Sequence, residues 1–364
     1  MEGGVVPASV KTDHAQKEPR VRDKRAKNFW EPLYDPTNAG AFPYSSWPQQ
    51  DDKRREHVTL GKDAFSEAWE PDDKVVFSDI TFLKCDFEGD FTDYTPTFKG
   101  CRFEHCDFGF SKWKRAKFKN CTFSACSLSI ASFEECEFRE GRFNQIGLSG
   151  NETFLQGTTF TNPADFIAAA YTCLDENVLR AKRQSLEYQR MRLEGTKATI
   201  ARSLLHSSGN HGDEDVYYDC VKLYQNLSIT SRTMEARYKL SEKPGWDKSI
   251  ANLAGLMTLR LEYFIINSVG WLNNWGASIA KPTLMGALMI IAFSFLYWIT
   301  SIKSTFLGAL SASIDISLLV GFTKQASNSL PMGTKFAFTL NMILGLIWYS
   351  VLLPTVVNRI SRIR

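Results

Sequence analysis

Cysteine is the residue type of this 364-residue chain with the most varied chemistry, because thiols bind metals, form disulfides and act as nucleophiles. Six of the eight cysteines fall within one stretch: Cys85, Cys101, Cys106, Cys121, Cys126 and Cys136. Each of the six stands two residues before a large apolar residue, a regularity that argues against a metal site or disulfides. A reduced cysteine packs as a small apolar side chain. We therefore predict six core residues, with neither a metal ion nor a cofactor.

The other reactive side chains show no catalytic arrangement. His206 and His211 lie near a polar loop without partners at metal-ligand spacing, and Cys173 and Cys220 stand alone. The sequence has no glycine-rich phosphate loop and no nucleophile elbow. We expect loop histidines exposed to solvent and no enzymatic activity.

Asp315 is an ionisable residue in an apolar setting. It is the one acid among residues 282–364, which also contain six basic residues and are otherwise mostly apolar. A carboxylate at membrane depth is energetically costly and commonly marks a functional path. Its role depends on the elements that surround it.

A five-residue repeat organises the chain ahead of the apolar tail. From residue 98 a large apolar residue recurs at every fifth position: Phe98, Phe103, Phe108, Trp113, Phe118, Phe123, Leu128, Phe133, Phe138, Phe143 and Leu148. Phe77, Phe82 and Phe87 precede it on the same spacing, with one extra residue in between. Neither a helix nor a strand has this period. Each pentad is therefore predicted to be a turn-like unit with two inward and three outward side chains.

The repeat resembles that of the pentapeptide-repeat family. The resemblance implies a right-handed quadrilateral β-helix with four pentads per coil, over residues 77–160. Some members of the family imitate DNA with an acidic rod, but residues 77–148 mix ten Lys and Arg with eleven Asp and Glu. A mixed surface lacks the negative field of a DNA mimic, and the net charge of the chain is only +3. We expect a scaffold or sensor that binds an unidentified cytoplasmic ligand or protein partner and no nucleic acid.

Composition divides the rest of the N-terminal portion into segments. Residues 1–28 are charged and lack the apolar core of a signal peptide, which predicts a disordered N-terminus in the cytoplasm. Residues 29–76 are predicted to form an irregular N-terminal cap, and residues 161–245 a cytoplasmic helical linker. Residues 246–280 are predicted to form a pre-membrane amphipathic helix, which either lies in the bilayer interface or packs as an ordinary helix.

Two apolar runs predict a membrane domain over residues 281–364. Residues 282–302 and 336–358 contain 21 and 23 residues without a charge, which matches the roughly 20 that cross a bilayer. The large N-terminal portion has no signal for crossing, so both termini are predicted to be cytoplasmic. The chain is thus expected to be a multi-pass protein of the cell (inner) membrane.

The connection between these runs is partly apolar but too short for a third full span. A half-helix that enters and returns fits its length, and non-helical backbone at that depth must lie within protein or line a water-filled path. Residues 306–324 can be aligned without a gap with the pore helix and filter of two-span potassium-type channels, which they resemble. Residues 305–324 are accordingly predicted to form these two elements. The resemblance implies a pore and selectivity filter formed by Leu318, Leu319, Val320, Gly321, Phe322 and Thr323.

Departures from the channel family limit what the resemblance implies. Within the filter only Val320 and Gly321 match, and Leu319 removes the hydroxyl that helps to replace the hydration shell of the ion. We therefore expect a pore for monovalent or nonselective cations, formed by a homotetramer. The second run contains two hinge candidates, Gly345 and Pro354.

Asp315 and Lys324 are predicted to support the filter as an ion pair, because a lone carboxylate in a low-dielectric site is strongly disfavoured. In the alternative, Lys324 is solvated at the pore mouth and Asp315 is hydrogen-bonded to its helical neighbours.

Three function classes remain open from the sequence. The first is the pore-forming subunit of a homotetrameric cation channel whose cytoplasmic repeat domain scaffolds or gates the pore. The second is a membrane-anchored pentapeptide-repeat scaffold or interaction protein without ion conduction. The third is a topoisomerase-binding repeat protein.

Overall fold

A computed structural model describes residues 45–49, 51–71, 73–181, 183–209, 214–241, 246–318 and 331–362. The chain divides into two compact units. The first comprises Met1–Gly212 and Thr230–Pro244, and the second comprises Asp213–Ile229 and Gly245–Arg364.

The first unit contains a β-solenoid of short parallel strands. The strands are β1 Arg54–Glu56, β2 Thr59–Gly61, β3 Val76–Ser78, β4 Thr81–Leu83, β5 Asp86–Phe91, β6 Thr97–Lys99, β7 Arg102–Glu104, β8 Ser111–Lys114, β9 Lys117–Lys119, β10 Thr122–Ser124, β11 Ser132–Glu134, β12 Glu137–Arg139, β13 Arg142–Asn144 and β14 Thr159–Phe160. Within the described residues they form three sheets, ordered β1-β4-β7-β10-β13, β11-β8-β5-β2 and β14-β12-β9-β6-β3. Paired residues such as Phe103 and Phe123 are one turn apart, and the chain makes about four turns.

A line of isolated β-bridges accompanies the three sheets. Asp86 pairs with Asp107, Asp107 with Ser127, and Ser127 with Gly147, all in parallel. These residues immediately precede Phe87, Phe108 and equivalent large apolar residues of successive turns. The turns are therefore hydrogen-bonded to one another along a further line outside the regular strands.

The interior of the solenoid is aromatic and apolar, as the five-residue repeat predicts. Phe98, Phe103, Phe118 and Phe123 are all buried. The rings of Phe98 and Phe118 stack with centroids 5.0 Å apart, and those of Phe103 and Phe123 with centroids 4.7 Å apart. Offset stacking stabilises such pairs beyond the burial of their area. The predicted inward placement of the large residues is confirmed for these positions.

The six cysteines of the repeat are buried at the small inward positions, which confirms their predicted core role. The Cys106 thiol donates to the carbonyl of Phe82, and the Cys126 thiol to that of Phe103, both at 3.1 Å. Burial raises the pKa of the Cys106 thiol well above its usual range and that of Cys136 to about 12. Because the thiolate is the reactive form, these buried thiols are poor nucleophiles at neutral pH.

Every pentad between residues 100 and 145 contains one residue with a positive φ, at which the chain changes direction. The ten positions have φ values between 50° and 64°: Gly100, His105, Phe110, Arg115, Asn120, Ala125, Ile130, Glu135, Glu140 and Gln145. This left-handed conformation is costly for residues with a Cβ and especially for β-branched ones such as Ile130. The interior packing and the hydrogen bonds between turns must therefore impose it.

Both ends of the solenoid are covered by aromatic residues. At the N-terminal end Trp47 is buried, with its ring centroid 5.4 Å from that of Phe77. Helix α1 (Lys62–Ala68) and strands β1 and β2 also precede residue 77, so the solenoid begins within the segment predicted to be irregular. Leu60 replaces phenylalanine on β2, which hides the repeat there. At the C-terminal end helix α2 (Pro163–Ala168) stacks Phe166 on Phe160 at 4.3 Å.

Further helices follow in the predicted linker. They are α3 (Glu176–Ala181), α4 (Leu186–Gly209) and α5 (Glu214–Ser241). The hydroxyl of Ser207 on α4 donates to the carbonyl of Leu155 at 2.6 Å, so α4 packs against the last turn of the solenoid. Tyr188 and Tyr238 bring α4 and the end of α5 together, with ring centroids 5.6 Å apart.

The second unit is helical. After the first half of α5 it contains α6 (Trp246–Asn273), a 3₁₀ turn (Asn274–Gly276), α7 (Ala280–Ile299), α8 (Phe306–Ser317) and α9 (Met332–Arg362). Among the described residues, three stretches are long and apolar enough to cross a membrane: Ser249–Gly276, Ala280–Ile299 and Met332–Ser361.

The sequence predicted two such spans, and the helix that precedes them meets the same criterion. Arg260 and Glu262 are the two charged residues of the stretch Ser249–Gly276. Its exposed residues are largely apolar and include Leu261 and Phe264. The exposed residues of the helix predicted over residues 246–280 are thus mostly apolar.

Candidate functional site

A short apolar helix lies between the two long apolar helices that end the chain. Helix α8 has 12 residues, which gives it a length of about 18 Å, well short of the roughly 30 Å of a bilayer core. The Thr305 hydroxyl accepts the amide of Gly308 at 3.1 Å and so caps its N-terminus. Helix α8 is therefore about half as long as a helix that crosses a membrane.

Apolar residues of three helices form the core around α8. The cluster comprises Phe293 and Tyr297 of α7, Ala309, Ala312 and Ile316 of α8, and Phe338 of α9. The rings of Tyr297 and Phe338 meet edge to face at 5.1 Å. Small residues on α8 allow the longer helices to approach it closely. Its packed face is therefore buried by protein along its length.

A polar network lies within this apolar core. The Oδ1 atom of Asn341 on α9 accepts the hydroxyl of Ser317 at 2.8 Å. The Nδ2 atom of Asn341 donates to the hydroxyl of Tyr297 at 2.9 Å and to the carbonyl of Ser313 at 3.4 Å. Ser313 in turn donates to the carbonyl of Ile290 on α7 at 2.9 Å. The network connects α7, α8 and α9 at the C-terminal half of α8.

Two glycines permit close contacts between these helices. A Cβ atom on Gly345 would lie 2.7 Å from the Cα atom of Ser317, a distance that atoms do not tolerate. A Cβ atom on Gly286 would collide with the indole ring of Trp348, whose Nε1 donates to the carbonyl of Pro282 at 2.6 Å. The packing of α7, α8 and α9 therefore depends on glycine at both positions.

The beginning of α7 and the end of α9 lie close together. Arg359 on α9 donates to the carbonyl of Ala277 and forms an ion pair of 3.4 Å with Glu214 at the start of α5. One turn earlier, the hydroxyl of Thr355 accepts the side-chain amide of Asn273 at 3.0 Å. These contacts place the start of α7, the end of α9 and the polar first turn of α5 at one level.

The structure describes part of the predicted pore and filter. Leu318 caps the C-terminus of α8 and is partly exposed. The remaining filter positions, Leu319, Val320, Gly321, Phe322 and Thr323, lie outside the described residues, as does Lys324. Their predicted roles therefore remain predictions.

The other predicted site residues lie on α8 and α9. Asp315 is half-buried near the C-terminus of α8. Gly345 is buried against Ser317, while Pro354 lies within the continuous helix α9 and is exposed. The structure thus assigns Gly345 a close-packing contact, and its predicted role as a hinge stays a prediction.

Sequence reasoning missed the residues of the polar network, above all Asn341. A signal was present, because Asn341 is an amide side chain in the middle of an otherwise apolar run. Polar residues within membrane helices usually face other helices and are hydrogen-bonded there. Their partners Tyr297 and Ser317 could not be identified without the packing of the three helices.

The solenoid carries a groove with a volume of about 530 Å³. Its lining includes three basic residues, Lys74, Arg115 and Lys117, and two acidic residues, Glu135 and Glu137. Glu137 forms an ion pair with Arg139. Among the described residues, no group of three or more His, Cys, Asp or Glu side chains is arranged to hold a metal ion.

No protein-family model matches the chain, and no curated protein is significantly similar to it.

Proposed function

We propose that the chain is the pore-forming subunit of a homotetrameric cation channel in the cell (inner) membrane. The observation that carries this proposal is the short helix α8. It is too short to cross a bilayer, and it packs against two helices that are long enough. A half-length helix held by protein on one side leaves the segment that follows it free to line an axis shared by several copies.

The proposed topology places both termini in the cytoplasm. The contacts of Arg359 with Ala277 and Glu214 support this arrangement, because they bring the start of α7 and the end of α9 to the side of the polar helix α5. A pair of spans whose outer ends lie at one level crosses the membrane as a hairpin. Helix α6 then lies along the cytoplasmic interface, with its apolar exposed face towards lipid.

The finer features of the pore follow from the channel resemblance. Leu318 to Thr323 form the filter, monovalent or nonselective cations pass, and Asp315 pairs with Lys324 behind the filter. Gly345 and Pro354 are the hinge candidates for opening. The position of Leu318 at the C-terminal cap of α8 supports the proposed start of the filter.

The solenoid is proposed to be a right-handed four-sided β-helix that scaffolds or gates the pore from the cytoplasm. Three sheets and the additional line of bridges at Asp107 and Ser127 support the four-sided shape. The mixed charges of its groove favour a polar ligand or protein partner over nucleic acid.

Reconstitution of the purified protein into liposomes tests the channel proposal. We expect cation flux driven by an imposed gradient, and planar bilayer recordings with ion substitution then report which cations pass. Mass measurement in detergent should give four chains per particle. An intact, inserted protein without flux would overturn the proposal in favour of a membrane-anchored scaffold, and particles of one or two chains would exclude the tetramer.

A further inference from the structure

The last turn of α8 is held to α9 at two points that lie one helical turn apart. Asn341 and Gly345 are four residues apart on α9 and therefore share a face. Both face Ser317, the last residue of α8: Asn341 through its side-chain oxygen and Gly345 through the absence of a side chain.

The first contact is a fully buried amide whose polar atoms are all hydrogen-bonded. Asn341 and Ser317 have no exposed surface. Moving α9 relative to α8 would break the bond between them and leave a buried amide oxygen unpaired, which is costly in an apolar environment. Because Asn341 also donates to Tyr297 on α7, the same movement would disturb the contact with the other span.

The second contact fixes the distance between the two helices. The backbone of Ser317 lies where a Cβ atom of residue 345 would be, so no larger residue fits without moving α8. A hydrogen bond sets the position of Ser317 along and around α9, and the glycine sets how close it comes. Together they define the position of the last turn of α8.

We infer that Asn341 and Gly345 are positioning residues for the C-terminus of α8 and that, through Leu318, they set the cation selectivity of the pore. The selectivity part rests on the proposed channel function. The positioning part rests on the described contacts alone. In this arrangement neither residue touches the ion.

The test compares two variants with a matched control in the full-length protein in lipid nanodiscs and liposomes. Asn341→Leu removes the three hydrogen bonds of Asn341 at similar volume, and Ser317→Ala removes one of them. Ser294→Ala is the control, because Ser294 is equally buried on α7 but donates within its own helix, to Ile290 at 2.6 Å. The Ile290 carbonyl also accepts from Ser313 of α8, so this variant removes a buried hydroxyl beside the network and leaves every bond of Asn341 and Ser317 in place.

Two measurements are made on each variant. Hydrogen exchange reports the opening of the backbone amides at residues 314–318 and needs no conduction. The permeability ratio of Na⁺ to K⁺ reports selectivity. For Asn341→Leu we expect exchange faster by about tenfold, the effect of about 1.4 kcal/mol, and a permeability ratio changed by about threefold or more. Ser317→Ala should change both in the same direction, and Ser294→Ala neither.

The outcomes separate this inference from the proposed function. A wild-type protein that does not conduct, with exchange altered as expected, would end the channel proposal and the selectivity part while supporting the positioning role. A conducting wild type whose Asn341→Leu and Ser317→Ala variants match Ser294→Ala would overturn the inference. Faster exchange with an unchanged permeability ratio would support the positioning part and overturn the selectivity part, since α8 would then move without affecting the pore. If Asn341→Leu fails to assemble, Ser317→Ala decides the test.

Gly345→Ala provides an independent variant for the second contact. The added methyl group is expected to push the last turn of α8 away from α9 and to change the permeability ratio in the full-length channel. Gly333→Ala is its control on the same helix, because nothing lies within 4 Å of a Cβ atom at Gly333. Equal behaviour of the two variants would contradict the role of Gly345.

Discussion

The solenoid and the helices of the second unit are packed in opposite ways. In the solenoid the large aromatic residues are inside, and Phe123 is 1% exposed. In the second unit large apolar residues such as Phe336, 70% exposed, face outward, while Ser313, Ser317 and Asn341 are completely buried. The second unit thus exposes the class of side chain that the solenoid buries.

The difference teaches which interactions hold each region together. In water the burial of apolar area drives folding, so the solenoid is stabilised by stacked aromatic rings and buried cysteines. In the membrane proposed for the second unit, lipid would offer no such gain, and helices associate there through close packing of small residues and hydrogen bonds between polar side chains. Gly286, Gly345 and Asn341 supply these contacts in the second unit.

Truncation of an aromatic ring should separate the two regions most clearly. We expect Phe123→Ala to reduce the free energy of unfolding of the solenoid by about 3–5 kcal/mol, because it leaves a cavity in the ring stack. Phe336→Ala should change the stability of the second unit by less than about 0.5 kcal/mol. Urea-dependent labelling of the buried cysteines reports the first, and thermal unfolding in detergent reports the second. Equal losses at both sites would contradict the comparison.

Enlarging a small residue should destabilise the helical unit, whose helices pack closely at glycine. Gly286→Ala places a methyl group against the indole ring of Trp348 and should destabilise the packing of α7 and α9 by about 1–3 kcal/mol. Gly255→Ala is the control, because nothing lies within 4 Å of its Cβ position on α6 and helix propensity favours alanine. Thermal unfolding in detergent should show a lower midpoint for the first variant alone.

Alkaline pH should weaken the solenoid through the buried thiol of Cys136. The pKa of Cys136 is raised to about 12 from a usual value of 9.0, chiefly because burial disfavours the thiolate. The unfolded chain therefore loses this proton at lower pH than the folded chain, and stability falls as pH rises from about 9 towards 12, by up to about 1.4 kcal/mol per pH unit for one thiol. Unfolding of wild type and Cys136→Ala between pH 8 and pH 10.5 should show a shallower decline for the variant. Parallel declines would place the cause elsewhere.

The smallest expected effect concerns the residues of the solenoid that have a positive φ. Here a substitution should raise the free energy of unfolding. Ile130 has a φ of 59°, a conformation that glycine adopts without strain. We expect Ile130→Gly to stabilise the solenoid by about 0.5–1 kcal/mol. Lys117→Gly, at an exposed strand position of the same solenoid, should instead destabilise it by a similar amount. Urea unfolding followed by cysteine labelling measures both, and loss of stability in Ile130→Gly would show that its side chain matters more than its backbone.

The sequence predicted the interior of the solenoid well because each five-residue repeat corresponds to one structural unit of a turn, with its large residue pointing inward. Phe103 and Cys106 could be placed inward from spacing alone. The beginning of the solenoid was missed for two reasons. Leu60 is not aromatic, and Trp47 lies outside the five-residue spacing, so that its contact with Phe77 is visible only in the folded structure. The positive φ values were missed as well, because residues such as Arg115 and Ile130 do not favour them.

The helical unit was predictable in outline and less so in its site. Lengths of apolar runs indicated α7, α9 and the half-length α8 between them. The interior contacts were not predictable, because in a membrane helix an apolar residue can face either lipid or protein and the pattern does not distinguish the two. Asn341 is an exception, because a single amide side chain in an apolar run is expected to face protein.

The closed ends of the solenoid limit how its length can change during evolution. Trp47 and Phe166 each cover a defined end of the ring stack, and successive turns are joined by parallel strand pairs. A duplication or deletion keeps this register only if it adds or removes a whole turn of about twenty residues. Each such event would change the height by one strand spacing, about 4.8 Å. The reach of the solenoid is therefore adjustable in equal steps without any change to its two caps.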